Sequence, residues 1–195
     1  MDALKAFLPA PSFQKIKHWI NELDVQLKIA APRKTKLGDF KGVKDALYIS
    51  INNDLNPYSF LITLTHELAH AFIYVKHKSG VAPHGKQWQD TFKAMMLNFL
   101  NPTIFPSDVL KVLSLHLKNP KASTLTDMNL ASVLKKYDRV KVLTISDIDE
   151  ESVFSIPNGK IFKKGKQLRK LYKCVECTSN KVYLFHPLAE VIPIQ

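Results

Sequence analysis

Cysteine is almost absent. The 195 residues hold two, Cys174 and Cys177, with two positions between them. Such a pair builds no disulfide framework, which sets aside the small secreted scaffolds and favours a reducing, cytoplasmic setting. Glycine is sparse at six residues and no low-complexity tract occurs, so neither a fibrous nor a disordered chain is indicated. No apolar run approaches the ~20 residues that cross a bilayer, and no membrane partner is expected. The N-terminus places an acid at Asp2 and a proline at Pro9, which is not the pattern of a secretory leader. Acidic residues are in deficit: 17 Asp and Glu face 28 Lys and Arg, leaving a formal net charge of +11 spread over both halves. A surplus of that sign attracts phosphate backbones or acidic proteins.

What is present is helical periodicity in the first two thirds and short alternating segments afterwards. Ser12 is placed to cap a helix carrying Phe13, Ile16, Trp19, Ile20 and Leu23. Val25, Leu27 and Ile29 alternate as a strand, residues 31–44 read as a loop or a weak strand pair, and 46–51 is a better strand. Asn56-Pro57 opens the main helix, which the pattern carries to about Lys76. Leu61, Leu64, Leu68, Phe72 and Val75 form one stripe of it, and Ile62, Ala69 and Ile73 widen that stripe, predicting a largely buried helix. Further helices are predicted over 86–100, 107–117 and 130–137. Beyond Asp138, alternating segments at 141–145, 152–156, 160–162, 168–175, 181–185 and 189–194 predict a small antiparallel unit.

Inside the buried helix stands Thr65-His66-Glu67-Leu68-Ala69-His70. Two histidines four apart project from one helix face and can grip a single ion, and Glu67 beside the first is placed to take a proton from water. Burying these three groups is costly unless something binds them. The proposal is a zinc site of a peptidase, with Zn2+ as cofactor and Glu67 as the catalytic base. A catalytic zinc needs a third protein ligand. His77 is seven residues past His70, ~10 Å further along a continuous helix and beyond reach of the same ion. Asp90, on the following helix, is conceivable. His84 is better placed, where the chain has turned back and the next helix begins. An oxyanion donor would come from Tyr48, Tyr74 or His77, and the sequence does not choose among them.

The stretch from Lys36 to about Leu100 resembles the SprT-like family of metallopeptidases, which includes the eukaryotic Spartan proteases. The resemblance rests on Lys36-Leu37-Gly38-Asp39, Tyr48-Ile49-Ser50-Ile51-Asn52, Leu61-Ile62-Thr63-Leu64, His66-Glu67-Leu68-Ala69-His70-Ala71 and His84-Gly85-x-x-Trp88. Carried over by position, it implies His66, His70 and His84 as metal ligands and Glu67 as the catalytic glutamate. The implied fold is α+β. A zincin-like helical metallopeptidase core with a small sheet spans 1–117, a helical connector 118–138, and a small C-terminal antiparallel β unit 139–195.

Many members of the family end in a zinc ribbon with two cysteine pairs. Here Cys174-Val175-Glu176-Cys177 stands without a second pair, and His186 alone does not complete a site, so the C-terminal unit is read as degenerate and the cysteines as structural. In the wording of Tyr183–Pro187 and Ala189–Val191 that unit resembles SprT-domain proteins common in Bacteroidetes. Its basic run comprises Lys160, Lys163, Lys164, Lys166, Arg169, Lys170 and Lys173 without an acid between them. Two roles compete for it: contact with nucleic acid, or a solvated strand edge. Spartan-type relatives cleave proteins crosslinked to DNA, so the resemblance implies a protein substrate associated with DNA. The rival function is a nucleic-acid-associated regulatory protein of the transcription-elongation type, whose zinc would be structural.

Overall fold

The computed structural model describes every residue except Met1, Lys34, Asp45, Ser79, 122–125 and Gln195. The chain divides into two compact units, Met1–Arg139 and Val140–Gln195. Together they give a mixed α+β protein with five α-helices and two sheets among the described residues.

In the first unit α1 (Phe13–Glu22) precedes β1 (Val25–Ala30), β2 (Gly38–Val43) and β3 (Ala46–Asn52). The sheet order is β1-β3-β2, with β1 parallel and β2 antiparallel to the central β3. Leu47, Ile49 and Ile51 of β3 are buried, as the alternation predicts. Ser12 does not cap α1. It ends a short 3-10 turn (Ala10–Ser12) in helical geometry, and its Oγ donates backward to the Pro9 carbonyl at 2.7 Å. The stretch 31–44, read as loop or weak strands, yields the regular edge strand β2.

Helix α2 (Pro57–His77) runs through the centre of this unit, with Phe60, Leu61, Ile62, Leu64, Leu68, Ala69 and Ala71 all buried. Its start follows from chemistry at one residue. Asn56 Oδ1 accepts the Tyr58 and Ser59 N–H groups at 3.1 and 3.0 Å, while Pro57 occupies a position that needs no donor. The same side chain, 1% exposed, donates through Nδ2 to the Leu134 carbonyl at 2.9 Å and to Asp138. Asn56 therefore ties the start of α2 to the end of α5 (Met128–Lys135). Asn56→Ala is expected to cost about 2–4 kcal/mol, combining a lost cap with a buried carbonyl left unpaired; urea denaturation measures it.

After α2, α3 (Lys86–Leu97) and α4 (Ser107–His116) follow at nearly the predicted places. Trp88, Phe92, Met96 and Phe99 pack into the common core. Among the described residues no helix is long and apolar enough to cross a membrane.

The second unit is an antiparallel sheet of β4 (Val153–Ser155), β5 (Ile161–Gln167), β6 (Tyr172–Glu176), β7 (Val182–Phe185) and β8 (Ile192–Pro193), in the order β7-β6-β5-β4-β8. Its core is small: Ile145, Phe154, Phe162, Cys174 and Val191. The alternating segment 141–145 is not a strand. Thr144 makes one bridge to Glu190, and a capping box between Thr144 and Asp147 turns the chain into a 3-10 turn instead. Strand β6 starts only at Tyr172, because the Leu168 N–H closes a turn onto the Leu171 carbonyl at 2.7 Å.

Candidate metal centre

Helix α2 brings His66 and His70 to one face, and the loop that follows returns His84 to them. Helix α2 ends where Lys78 takes a positive φ of 58° and its N–H bonds the Tyr74 carbonyl. A second left-handed residue, His84 itself at φ 58°, bends the chain back into α3. The Gly85 N–H closes that bend on the Ala82 carbonyl at 3.0 Å, and a Cβ on Gly85 would sit 3.0 Å from the same oxygen. Gln89 Nε2 donates to the His84 carbonyl at 3.3 Å.

The three Nε2 atoms form a near-equilateral triangle, with edges of 3.1 Å (His66–His84), 3.2 Å (His66–His70) and 3.0 Å (His70–His84). Hydrogen bonding cannot account for it. A ring nitrogen is either donor or acceptor, so in any triangle at least one edge joins two donors or two acceptors. One cation facing three lone pairs satisfies all of them. Tetrahedral ligand atoms at ~2.0–2.1 Å from zinc lie ~3.3–3.4 Å apart, close to these edges. The residues present fit the ion, and among the described residues they form the one group of His, Cys, Asp or Glu able to hold a metal.

Asp90 lies outside this group. Its exposed carboxylate takes Lys86 Nζ at 2.7 Å, one helical turn away. His77, exposed at the end of α2, is also outside it. Trp88 walls the site, its ring centroid 4.5 Å from His66, 5.3 Å from His70 and 4.7 Å from His84. Its Nε1 donates to the His66 carbonyl at 3.4 Å. Phe40 stacks on the other side of His70 at 6.5 Å.

Glu67 is 7% exposed and lies against β2. A Cβ on Gly38 would stand 2.8 Å from its Oε1 and 2.8 Å from Thr63 Cγ2, so only glycine lets the strand pass this close. Gly42 plays the same part against the Tyr74 ring, where a Cβ would meet Cζ at 2.5 Å. The Tyr74 hydroxyl is already committed to the Lys44 carbonyl at 3.2 Å, and Tyr48 is exposed on β3. The segment leading into β2 is pinned by Asn52, whose Nδ2 donates to the carbonyls of Arg33 and Lys36, and by Arg33, whose guanidinium reaches Asn52 Oδ1 and Ser50. None of this network stood out in the sequence; the signal available was two glycines within a basic strand.

Burial sets the electrostatics. Desolvation, and then the neighbouring imidazoles, lowers His66 to about 3 and His70 to about 4, and burial also lowers His84. All three are therefore neutral ligands at pH 7. Desolvation, helped by the Asp39 carboxylate, raises Glu67 to about 8, against the pull of Arg33, Lys36 and the Phe40 backbone hydrogen bond. A dication nearby favours the ionised carboxylate.

The signs give a prediction for the metal-free chain. The unfolded histidines take up protons below about 6.5 while the folded ones exclude them, so that contribution is lost as pH falls toward 4. Unfolded Glu67 ionises from about 4.5, yet the folded group holds its proton to about 8, so its contribution is lost as pH rises between them. Denaturation in chelator should show Glu67→Gln gaining on wild type by a few kcal/mol from pH 5 to pH 8. A constant difference contradicts the burial argument.

Residues 12–107, which hold the whole triangle and Glu67, match the SprT-like family. This segment belongs to the SprT-like family. No curated protein and no solved structure gives a match. SprT-like membership is compatible with a zinc metallopeptidase-like role and agrees with the donor set assembled above.

The second unit places the remaining residues. Cys174 is buried, burial holding its thiol above the ordinary range, and Cys177 is exposed; both are free thiols. His186 Nδ1 accepts the Leu188 N–H in a local turn. Of the basic run, Lys160 pairs with Glu176 at 2.9 Å, Lys163 pairs with Glu151, and Lys164 is buried with Nζ on the Ile148 carbonyl and over the Tyr172 ring at 4.3 Å. Lys166, Arg169, Lys170 and Lys173 are exposed around the β5–β6 turn, without an ion-pair partner among the described residues.

Proposed function

We propose that the SprT-like segment is a zinc-dependent peptidase with a zincin-like core, and that its substrates are proteins associated with DNA. The observation that carries the reading is the His66–His70–His84 triangle beside a buried carboxylate on the same helix. A zinc ion held there supplies Lewis acidity toward a peptide carbonyl and toward water. The chain's own contribution is proton traffic and order. His66 and His70 are fixed by a helix that cannot bend locally without breaking its core, and Trp88 keeps bulk water off one side of them. Glu67, as carboxylate, removes the proton of the attacking water at an Oε atom and delivers it to the nitrogen of the leaving amine. A structural site has no use for such a base, which weighs against the regulatory alternative.

The partner proposal narrows to the β5–β6 turn. Lys166, Arg169, Lys170 and Lys173 are the members of the run left able to meet phosphates, and such contacts are salt-dependent. Replacing all four with alanine should flatten the slope of log K against log salt for duplex DNA by roughly 3. An unchanged slope removes this surface from consideration. The function is tested by incubating the zinc-loaded chain with an unfolded protein, with and without DNA. Cleavage that DNA accelerates is the expected result; zinc bound without cleavage favours the regulatory reading.

A further inference from the structure

Next to His70 the first unit opens into a cleft of about 160 Å³. One wall is the α2 face carrying Ile73 and Tyr74, the second is Phe40 of β2, and the third is Val81 and Pro83 of the loop that carries His84, with Trp88 at the bottom. Phe40, Ile73 and Val81 are only partly buried, although each faces apolar neighbours. The polar groups offer little to a polar guest. The Tyr74 hydroxyl is bound to the Lys44 carbonyl, Lys78 is engaged, and His77 stands at the exposed rim. Among the described residues no buried side-chain nitrogen or oxygen lacks a partner, so no group waits for a charged or amide side chain.

We infer that this cleft is a side-chain subsite that selects an apolar residue, of the size of leucine or phenylalanine, next to the peptide bond presented to the triangle. The inference rests on the peptidase reading and gives it a substrate class. Volume decides the occupant: 160 Å³ admits one large side chain and excludes a helix or a folded surface. Position decides its relation to the reaction, because His70 and Trp88 belong both to the cleft and to the triangle's surroundings. The loop makes the coupling direct, since a side chain seated against Val81 and Pro83 presses on the segment that presents His84. Burying a side chain of this size strengthens binding by roughly 10- to 100-fold over glycine.

The test uses the whole chain loaded with zinc and a set of otherwise identical peptides bearing Phe, Leu, Gly or Asp at one position. Affinity is measured by calorimetry on Glu67→Gln, which holds peptide without cutting it, and kcat/KM on wild type. Phe and Leu peptides should bind, and be cut, at least tenfold better than Gly, with Asp weakest. Val81→Trp, which fills the cleft from an exposed loop, should erase that ratio, and Val81→Asp should reverse the order of Phe against a Lys peptide; zinc content checks that both variants are intact. Equal affinity for Phe and Gly peptides overturns the subsite, as does a ratio that survives both substitutions. A wild type that cuts none of the peptides overturns the peptidase reading instead, and the affinity ratio on Glu67→Gln still decides whether the cleft selects apolar side chains.

Discussion

Glu67→Gln should bind zinc as wild type does and lose hydrolysis by about 10²–10⁴-fold, the range that a positioned general base contributes. The two halves of that expectation have separate causes. The three ligands are imidazoles, and the carboxamide is nearly isosteric with the carboxylate, so the close passage of Gly38 beside Oε1 is undisturbed. Catalysis depends on an acceptor that can carry a proton from water to amine, which an amide cannot do. Burial makes the group responsive: desolvation holds its proton near pH 8 without a cation, so the charged base depends on the ion it serves. Hydrolysis that persists in Glu67→Gln contradicts the assignment. Zinc lost from that variant would show instead that the carboxylate supports the ligands.

The second large effect is at the third ligand. His84→Ala should weaken zinc by more than about 100-fold, since loss of a group that merely orients a ligand already costs 10–100-fold. Asp90→Ala should leave zinc in place. The carboxylate is exposed and held by Lys86 on α3, whereas His84 Nε2 lies 3.0 and 3.1 Å from its two companions. Equilibrium competition with a chromogenic chelator reads both variants. Full affinity in His84→Ala, or a loss in Asp90→Ala, would move the site off the triangle.

The centre was legible because its main element obeys local rules. Asn56-Pro57 announces α2, the apolar stripe predicts its burial, and the four-residue spacing of His66 and His70 fixes their shared face. His84 was reachable in a weaker way. It stands after a break where the chain must reverse, but spacing alone left Asp90 open, and the choice came from the likeness of His84-Gly85-x-x-Trp88 to a known family. What decides it in the structure is a left-handed residue at His84 itself, a conformation no periodicity signals.

Strand β2 was not legible. Its glycines weaken any strand pattern, and their purpose is visible only once Glu67 and Tyr74 press against them. The opposite error arose at 141–145, where alternation suggests a strand but the Thr144–Asp147 capping box turns the backbone. Lys164 gives the same lesson about charge. In the sequence it is one of seven equivalent cations, yet it lies on the inner side of β5 with its amine on a carbonyl and an aromatic ring. Charge density along a chain does not reveal which side of a sheet each residue faces.

The most direct test of the central claim is one preparation followed through removal and return of the metal, with zinc content and cleavage of an unfolded protein measured at each step. One zinc per chain, cleavage lost on chelation and restored in proportion to zinc returned is the predicted result. Cleavage that continues in the metal-free chain, or zinc restored without cleavage, would contradict it.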